Sequence, residues 1–234
     1  MVTTALILPT FTYNYPIMAI NPPKKIPFNS KTIHCLLIDL DDTLYPHDSG
    51  VWEMIRARMQ QYMLEEMHFP PDEVPVLRQR LWKKYGTTLR GLQAEFEVDM
   101  AAYLAYVHDV PIEACLTPDP ELPYMLDRLP QRKFIFTNAH TAHAHRIMDH
   151  LGVSSYFEGI IDIYAMAPYC KPQVEAFHKA LELISEPPEA CLLVDDSPEN
   201  LSTAQALGMA TVSIGIHRHD SSPYINTIHD LAAL

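Results

Sequence analysis

The stretch CLLIDLDDTLYP, residues 35–46, places three carboxylates, Asp39, Asp41 and Asp42, directly behind an apolar run. Like charges this close repel and raise one another's pKa unless something positive sits among them. Other apolar runs also end on polar groups. KFIF is followed by Thr137 and Asn138, CLLV by Asp195 and Asp196, and YAMAPYC by Lys171. Carboxylates gathered with one hydroxyl and one ammonium form a chemically specific set. Hard oxygen ligands suit Mg²⁺, which keeps several of its waters. Lys171 and Thr137 suit a phosphoryl group. Asp39 and Asp41 flank a turn, so both can reach one substrate from different sides. One carboxylate can attack phosphorus while the other moves protons.

Such a set works only if the fold gathers these segments. Ile33 to Leu40 reads as a strand, and KFIF, GIIDIYAM, CLLV and ATVSIG read as others. Between them AHTAHAHRIMDHLG, KPQVEAFHKALELI and SPENLSTAQALG read as helices. Pro172 suits a first helical turn, and Ser197 with Pro198 reads as an N-cap followed by N1. Alternation of this kind predicts an α/β fold with a Rossmann-like doubly wound parallel sheet, whose ligands bind at the carboxyl ends of the strands. Residues 47–115 carry a different rhythm. Val51, Ile55, Met59, Tyr62 and Met63 fall on one helical face, as do Val74, Leu77 and Leu81 before Gly86. The expected organisation is an N-terminal extension over 1–30, an α/β core from 31–46 and 116–234, and an inserted all-helical cap over 47–115.

The net charge of −12 removes a class of functions. Without a basic surface the chain cannot neutralise many phosphates, so a nucleic-acid polymer or an acidic membrane is not its expected partner. A small phosphorylated metabolite is. The first residues are apolar, but Pro9 and Pro16 interrupt them and no positive start precedes them, so neither a membrane span nor a secretory signal is expected. Cys35, Cys115, Cys170 and Cys191 form no C-x-x-C pair, which reads as a reduced, cytoplasmic protein. The oligomeric state stays open.

DLDDT, TN, the lysine of YCKP and DDSPEN, in this order, resemble the four motifs of the haloacid dehalogenase-like phosphatases, over about residues 33–216. The resemblance implies Asp39 as nucleophile and Asp41 as general acid and then base. It implies Thr137, Asn138 and Lys171 around the phosphoryl group. Mg²⁺ would be held by Asp39, the Asp41 carbonyl and Asp196, with Asp195 beside it or through water. YGTTLRGLQ, YLAYVHD and LPQRKFIFTNAHTAHAHRIMDHLGV are similar to the pyrimidine 5′-nucleotidase branch of that superfamily. That similarity implies hydrolysis of pyrimidine nucleoside 5′-monophosphates. Other readings are a phosphatase for a sugar phosphate or phosphoglycolate, a haloacid dehalogenase, and a catalytically silent binding protein on the same fold.

Substrate choice is expected in the cap, where Thr87, Thr88 and Arg90 sit in a polar segment bracketed by Gly86 and Gly91. Tyr45 and Trp52 are candidates for stacking on a base or for core packing. His140, His143 and His145 do not share one helical face, so they read as packed or solvated rather than as a metal site, with His140 near the phosphate.

Overall fold

The computed structural model describes residues 32–233, so the expected extension over 1–30 lies outside the described residues. The sheet is built from β1 (Cys35–Ile38), β2 (Arg132–Phe136), β3 (Gly159–Ile161), β4 (Cys191–Asp195), β5 (Ala210–Ile214) and β6 (Tyr224–Ile225). All neighbours pair in parallel, in the order β3-β2-β1-β4-β5-β6. Helices flank both faces. GIIDIYAM is shorter as a strand than its apolar pattern suggests, because Asp162 leaves the ladder. Its carboxylate accepts the N–H groups of Tyr164 and Ala165 and so folds the chain into a turn.

Side-chain alternation explains the two-sided burial. Leu36 and Ile38 of β1 face one core with Ile135, Val194 and Val212. Cys35 and Leu37 face the other with Phe136, Phe177 and Leu193. A strand buried on both sides must be apolar throughout, which is why CLLI carries no polar residue before Asp39.

Between β1 and β2 lie α1 (Val51–Glu65), α2 (Val74–Tyr85), α3 (Thr88–Phe96), α4 (Met100–Val107) and α5 (Glu121–Asp127). Helices α1 to α4 have their own apolar cluster, built on Met63, Leu81, Leu92, Tyr103 and Leu104. Ile163, from the segment after β3, inserts into that cluster and ties it to the sheet layer. Gly91 permits a close helix contact here, since a Cβ on it would lie 2.6 Å from the Leu81 Cβ. The remaining helices are α6 (Thr141–His150), α7 (Val174–Ile184) and α8 (Pro198–Ala206). Ser197 caps α8, its hydroxyl accepting from the Asn200 N–H at 3.4 Å. Pro172 precedes α7 rather than occupying its first turn. Among the described residues no helix is long and apolar enough to cross a membrane.

Candidate active site

Strands β1 and β4 are adjacent, and the strand order reverses between them. At such a switch point the connections leave in opposite directions and open a crevice beyond the strand ends. Asp39 follows β1 and Asp195 ends β4, so both carboxylates enter that crevice. Lys171 comes from the loop between β3 and α7. Its Nζ lies 2.7 Å from an Asp39 oxygen and 2.8 Å from an Asp195 oxygen. All three side chains are buried.

Burial disfavours a charged lysine, but the two carboxylates outweigh it and raise the Lys171 pKa. One ammonium shared by two acids does not fully offset the burial of Asp39. Burial, only partly offset by Lys171, together with the Asp195 charge pushes Asp39 up to about 7. Burial and then the charges of Asp195 and Asp39 push Asp196 up to about 8. Asp42 rises to about 7, through burial and then Asp41.

Oxygens of Asp39, Asp195 and Asp196 lie within 4.8 Å of one another. These residues fit a hard divalent cation. Their donors are all oxygens, and an added positive charge would relieve the crowding that helps to raise the pKa values of Asp39 and Asp196. The members differ in freedom. One Asp195 oxygen accepts from the Ser197 N–H at 2.9 Å and the Asn200 amide at 2.8 Å, while the other accepts from Lys171. Asp196 is only half-buried and lines the open cavity.

Asp41 has a separate environment. One of its oxygens accepts the Tyr45 hydroxyl at 2.6 Å and meets His143 Nε2 at 3.0 Å. Burial alone would raise its pKa, but the His143 charge and these two hydrogen bonds hold it below the usual carboxylate range. Neighbouring carboxylates thus have opposed proton affinities, Asp39 raised and Asp41 lowered. Tyr45 is therefore buried against Asp41 instead of facing a base.

Thr137 is buried and lines the cavity, its hydroxyl accepting the Ala139 N–H at 3.0 Å. Asn138 spends its amide on the backbone of Lys171, donating to the carbonyl at 3.0 Å and accepting the N–H at 2.9 Å. It thereby fixes the lysine.

The cap segment divides in two. Thr88 lines the cavity, and Thr87 also caps α3 by accepting the Arg90 N–H. Arg90 points away from the cavity. Its guanidinium donates to the carbonyls of Ile163 at 2.8 Å and Tyr169 at 2.9 Å. Beside it, Gly86 has φ +86°, and a Cβ there would lie 3.0 Å from Cys170 Sγ and 3.2 Å from the Lys171 carbonyl. Segment 86–90 therefore docks the cap onto the loop that carries Lys171. Arg90→Ala is expected to lower stability by roughly 1–3 kcal/mol, through the lost charge-assisted hydrogen bonds to the carbonyls of Ile163 and Tyr169 and to Gln93 Oε1. Activity should fall by the same factor on every substrate, as measured by thermal unfolding and parallel kcat/KM values. A loss confined to one leaving group would return Arg90 to substrate recognition.

The histidines were the least legible residues. His143 is fully buried against Asp41, and His108 from the end of α4 stacks on both His143 and His140, with ring centroids 4.3 and 4.7 Å apart. His140 and His143 are three apart, a spacing that shares a helix face. That spacing was the available signal. The partner, Asp41, is remote in sequence and carries none.

The sequence profile described as haloacid dehalogenase-like hydrolase matches residues 33–208. Phosphate metabolism protein 8 of Saccharomyces cerevisiae is 26% identical over 205 residues, spanning 81% of this chain and 64% of that protein. The chain therefore covers less than two thirds of that relative. Phosphoglycolate phosphatase of Aquifex aeolicus is 26% identical over 187 residues, spanning 75% of this chain and 82% of that one. L-2-haloacid dehalogenase from Xanthobacter autotrophicus has a similar fold, with a TM-score of 0.57 at 14% identity over 86% of this chain and 97% of that one.

Proposed function

The chain belongs to the haloacid dehalogenase-like hydrolases, and from that membership and the site geometry we propose that it is a Mg²⁺-dependent phosphomonoesterase. The cluster of Asp39, Asp195 and Asp196 beside a separately held Asp41 carries this reading. A dehalogenase uses the nucleophile without a second acid or a metal, so it has no use for these groups.

Asp39, Asp196 and the carbonyl of Asp41 would hold Mg²⁺, with Asp195 set behind them by Lys171, Ser197 and Asn200. When bound, the ion offsets the charge of acids and phosphoryl oxygens that would otherwise repel. An Asp39 oxygen attacks phosphorus, and the bond from phosphorus to the leaving oxygen breaks. Asp41 gives that oxygen a proton. Asp41 takes up this proton from solvent as substrate binds, because the arriving phosphoryl dianion raises its low pKa. A water then attacks the phosphorus of the aspartyl-phosphate while Asp41 takes its proton, the bond from phosphorus to the Asp39 oxygen breaks to restore the carboxylate, and inorganic phosphate leaves. Lys171 and Thr137 contact the phosphoryl oxygens throughout. The cap covers the site and excludes bulk water.

For the leaving group we propose a pyrimidine nucleoside. Support comes from the similarity of the cap and motif-flanking stretches to the pyrimidine 5′-nucleotidase branch, and from Thr87, Thr88, Trp52 and Trp82 along the cavity wall. A second reading, a phosphorylated hydroxy acid, has support in the relative named phosphoglycolate phosphatase. Phosphate release from UMP, CMP, phosphoglycolate and sugar phosphates, with Mg²⁺ and with EDTA, tests both. Release from none of them, or undiminished release in EDTA, defeats the proposal.

Thermal unfolding reads the metal without activity. Asp39 and Asp196 have folded pKa values raised above the ordinary carboxylate range. Their contribution to stability is therefore present at low pH and is lost as pH rises through about 7 to 8. Mg²⁺ binds the deprotonated carboxylates, so each proton it must displace costs about 1.4 kcal/mol per pH unit below the pKa. The Mg²⁺-induced rise in Tm is expected to be larger at about pH 8.5 than at about pH 6. An equal shift at both values would place the ion elsewhere.

A further inference from the structure

The crevice above Asp39 continues into the cap as a cavity of about 1470 Å³. That is larger than a typical pocket for a small ligand, which runs to roughly 1,000 Å³, and far larger than a phosphoryl group requires. Something on the cap side must therefore read the rest of the substrate. Arg90, the guanidinium expected there from sequence, is committed to core carbonyls.

Another guanidinium lines this cavity without an acid. Arg78, on α2, has a buried Nε with no hydrogen-bond partner, and its Nη2 contacts only the weak acceptor Met59 Sδ at 3.6 Å. The chain holds 29 acidic residues, yet among the described residues none forms an ion pair with Arg78. Burial, together with the charge of Arg56 on the same cavity wall, lowers its pKa. Tyr103, on α4, lines the same cavity, and its buried hydroxyl also lacks a partner. The two side chains are close enough to interact electrostatically but do not hydrogen-bond each other. Buried polar groups left without a partner are unfavourable. Two of them converging on one cavity amount to an acceptor site built into the cap. Trp82 follows Arg78 by one helical turn and also lines the cavity, half exposed, so a flat ring stands beside the donors.

We infer that Arg78 and Tyr103 form the subsite that reads the leaving group, donating hydrogen bonds to an oxygen acceptor on it while Trp82 offers a face for a planar ring. This rests on the phosphomonoesterase reading given above and adds Arg78 and Tyr103 to a cavity wall that Thr87 and Thr88 share. The matching chemistry is a leaving group that presents acceptor oxygen to a cation. The O2 carbonyl shared by uracil and cytosine is one source, and the carboxylate of a phosphorylated hydroxy acid is the other. A leaving group without acceptor oxygen has nothing to offer these donors.

The experiment compares wild type, Arg78→Met and Tyr103→Phe on UMP, CMP, phosphoglycolate and phenyl phosphate with Mg²⁺. Methionine keeps the apolar stem packed against α1, and phenylalanine removes only the hydroxyl. Phenyl phosphate is the control, because its leaving group has no acceptor besides the ester oxygen. Arg78→Met is expected to lower kcat/KM at least tenfold on the acceptor-bearing substrate that wild type prefers. Tyr103→Phe should lower it severalfold, and both variants should stay within about threefold of wild type on phenyl phosphate. A preference for UMP and CMP identifies the carbonyl, and one for phosphoglycolate the carboxylate. Equal losses on phenyl phosphate and the preferred substrate, or no loss on either, overturn the inference. Uridine and glycolate, which lack phosphate, supply a readout independent of turnover. One of them should raise the Tm of wild type and not that of Arg78→Met. If wild type releases no phosphate from any substrate, the phosphatase reading fails, while this Tm comparison still decides the subsite.

Discussion

Asp39→Asn is expected to leave a folded protein with kcat lowered at least about a thousandfold, or about 4 kcal/mol in the barrier. Asparagine keeps the size of the side chain and can still accept the hydrogen bond from Lys171. It cannot form the phosphoryl ester, and none of the neighbouring groups can replace it. Asp195 is occupied by Lys171, Ser197 and Asn200, and Asp41 is held by Tyr45 and His143. Stability should hardly fall. Burial and the Asp195 charge already raise the Asp39 pKa, so removing its charge relieves crowding while Asp195 remains as partner for Lys171. Single-turnover kinetics and thermal unfolding of the same preparation check both halves. A variant that keeps more than about a tenth of wild-type kcat loses less than ~1.4 kcal/mol, which no covalent step would allow.

The acids were legible because a parallel sheet makes them so. Each strand must be apolar, and each exits at the same edge, so a polar cluster directly behind an apolar run is already placed in space. Asp39, Thr137 and Asp195 follow this logic. Residues whose meaning depends on distant backbone did not. Asn138 reads as a turn residue or a phosphate ligand until Lys171 is seen on both ends of its amide. Arg90 reads as a binding residue, and only the carbonyls of Ile163 and Tyr169 show that it docks the cap. Arg78 lies in RQRLWKK, where a cavity-facing arginine cannot be told from solvated neighbours by helical spacing. Elements without pattern were missed as well. Strand β6 spans only Tyr224–Ile225, and α5 lies between Pro120 and Pro130 in a segment rich in turn residues. The choice between Asp195 and Asp196 could not be read either, since adjacent identical residues differ only in the direction that β4 turns them.

Lys171→Met is the replacement expected to damage both stability and catalysis. The ammonium is buried between Asp39 and Asp195, and it also lies 5.0 Å from the centroid of the Phe136 ring. Methionine fills much of its volume and satisfies neither acid. Breaking a buried ion pair by removing one partner costs about 3–5 kcal/mol, because the remaining charge stays desolvated. Here two carboxylates lose the same partner, with Asp196 close by. The penalty should depend on pH in a definite direction. Asp39 is raised to about 7 even with the lysine present. Without it the folded pKa climbs further, so the variant binds a proton that the unfolded chain releases near the ordinary carboxylate value. Stability relative to wild type is then least impaired at about pH 5 and most impaired at about pH 8, above the wild-type Asp39 value. Mg²⁺ should recover part of the lost stability by supplying charge to the same oxygens. It should not recover kcat, since the phosphoryl group still lacks the ammonium that Asn138 fixes in place. Denaturant unfolding at both pH values, with and without Mg²⁺, separates these effects. A loss below ~1 kcal/mol at about pH 8, or one that grows as pH falls, would show that the carboxylates do not depend on Lys171.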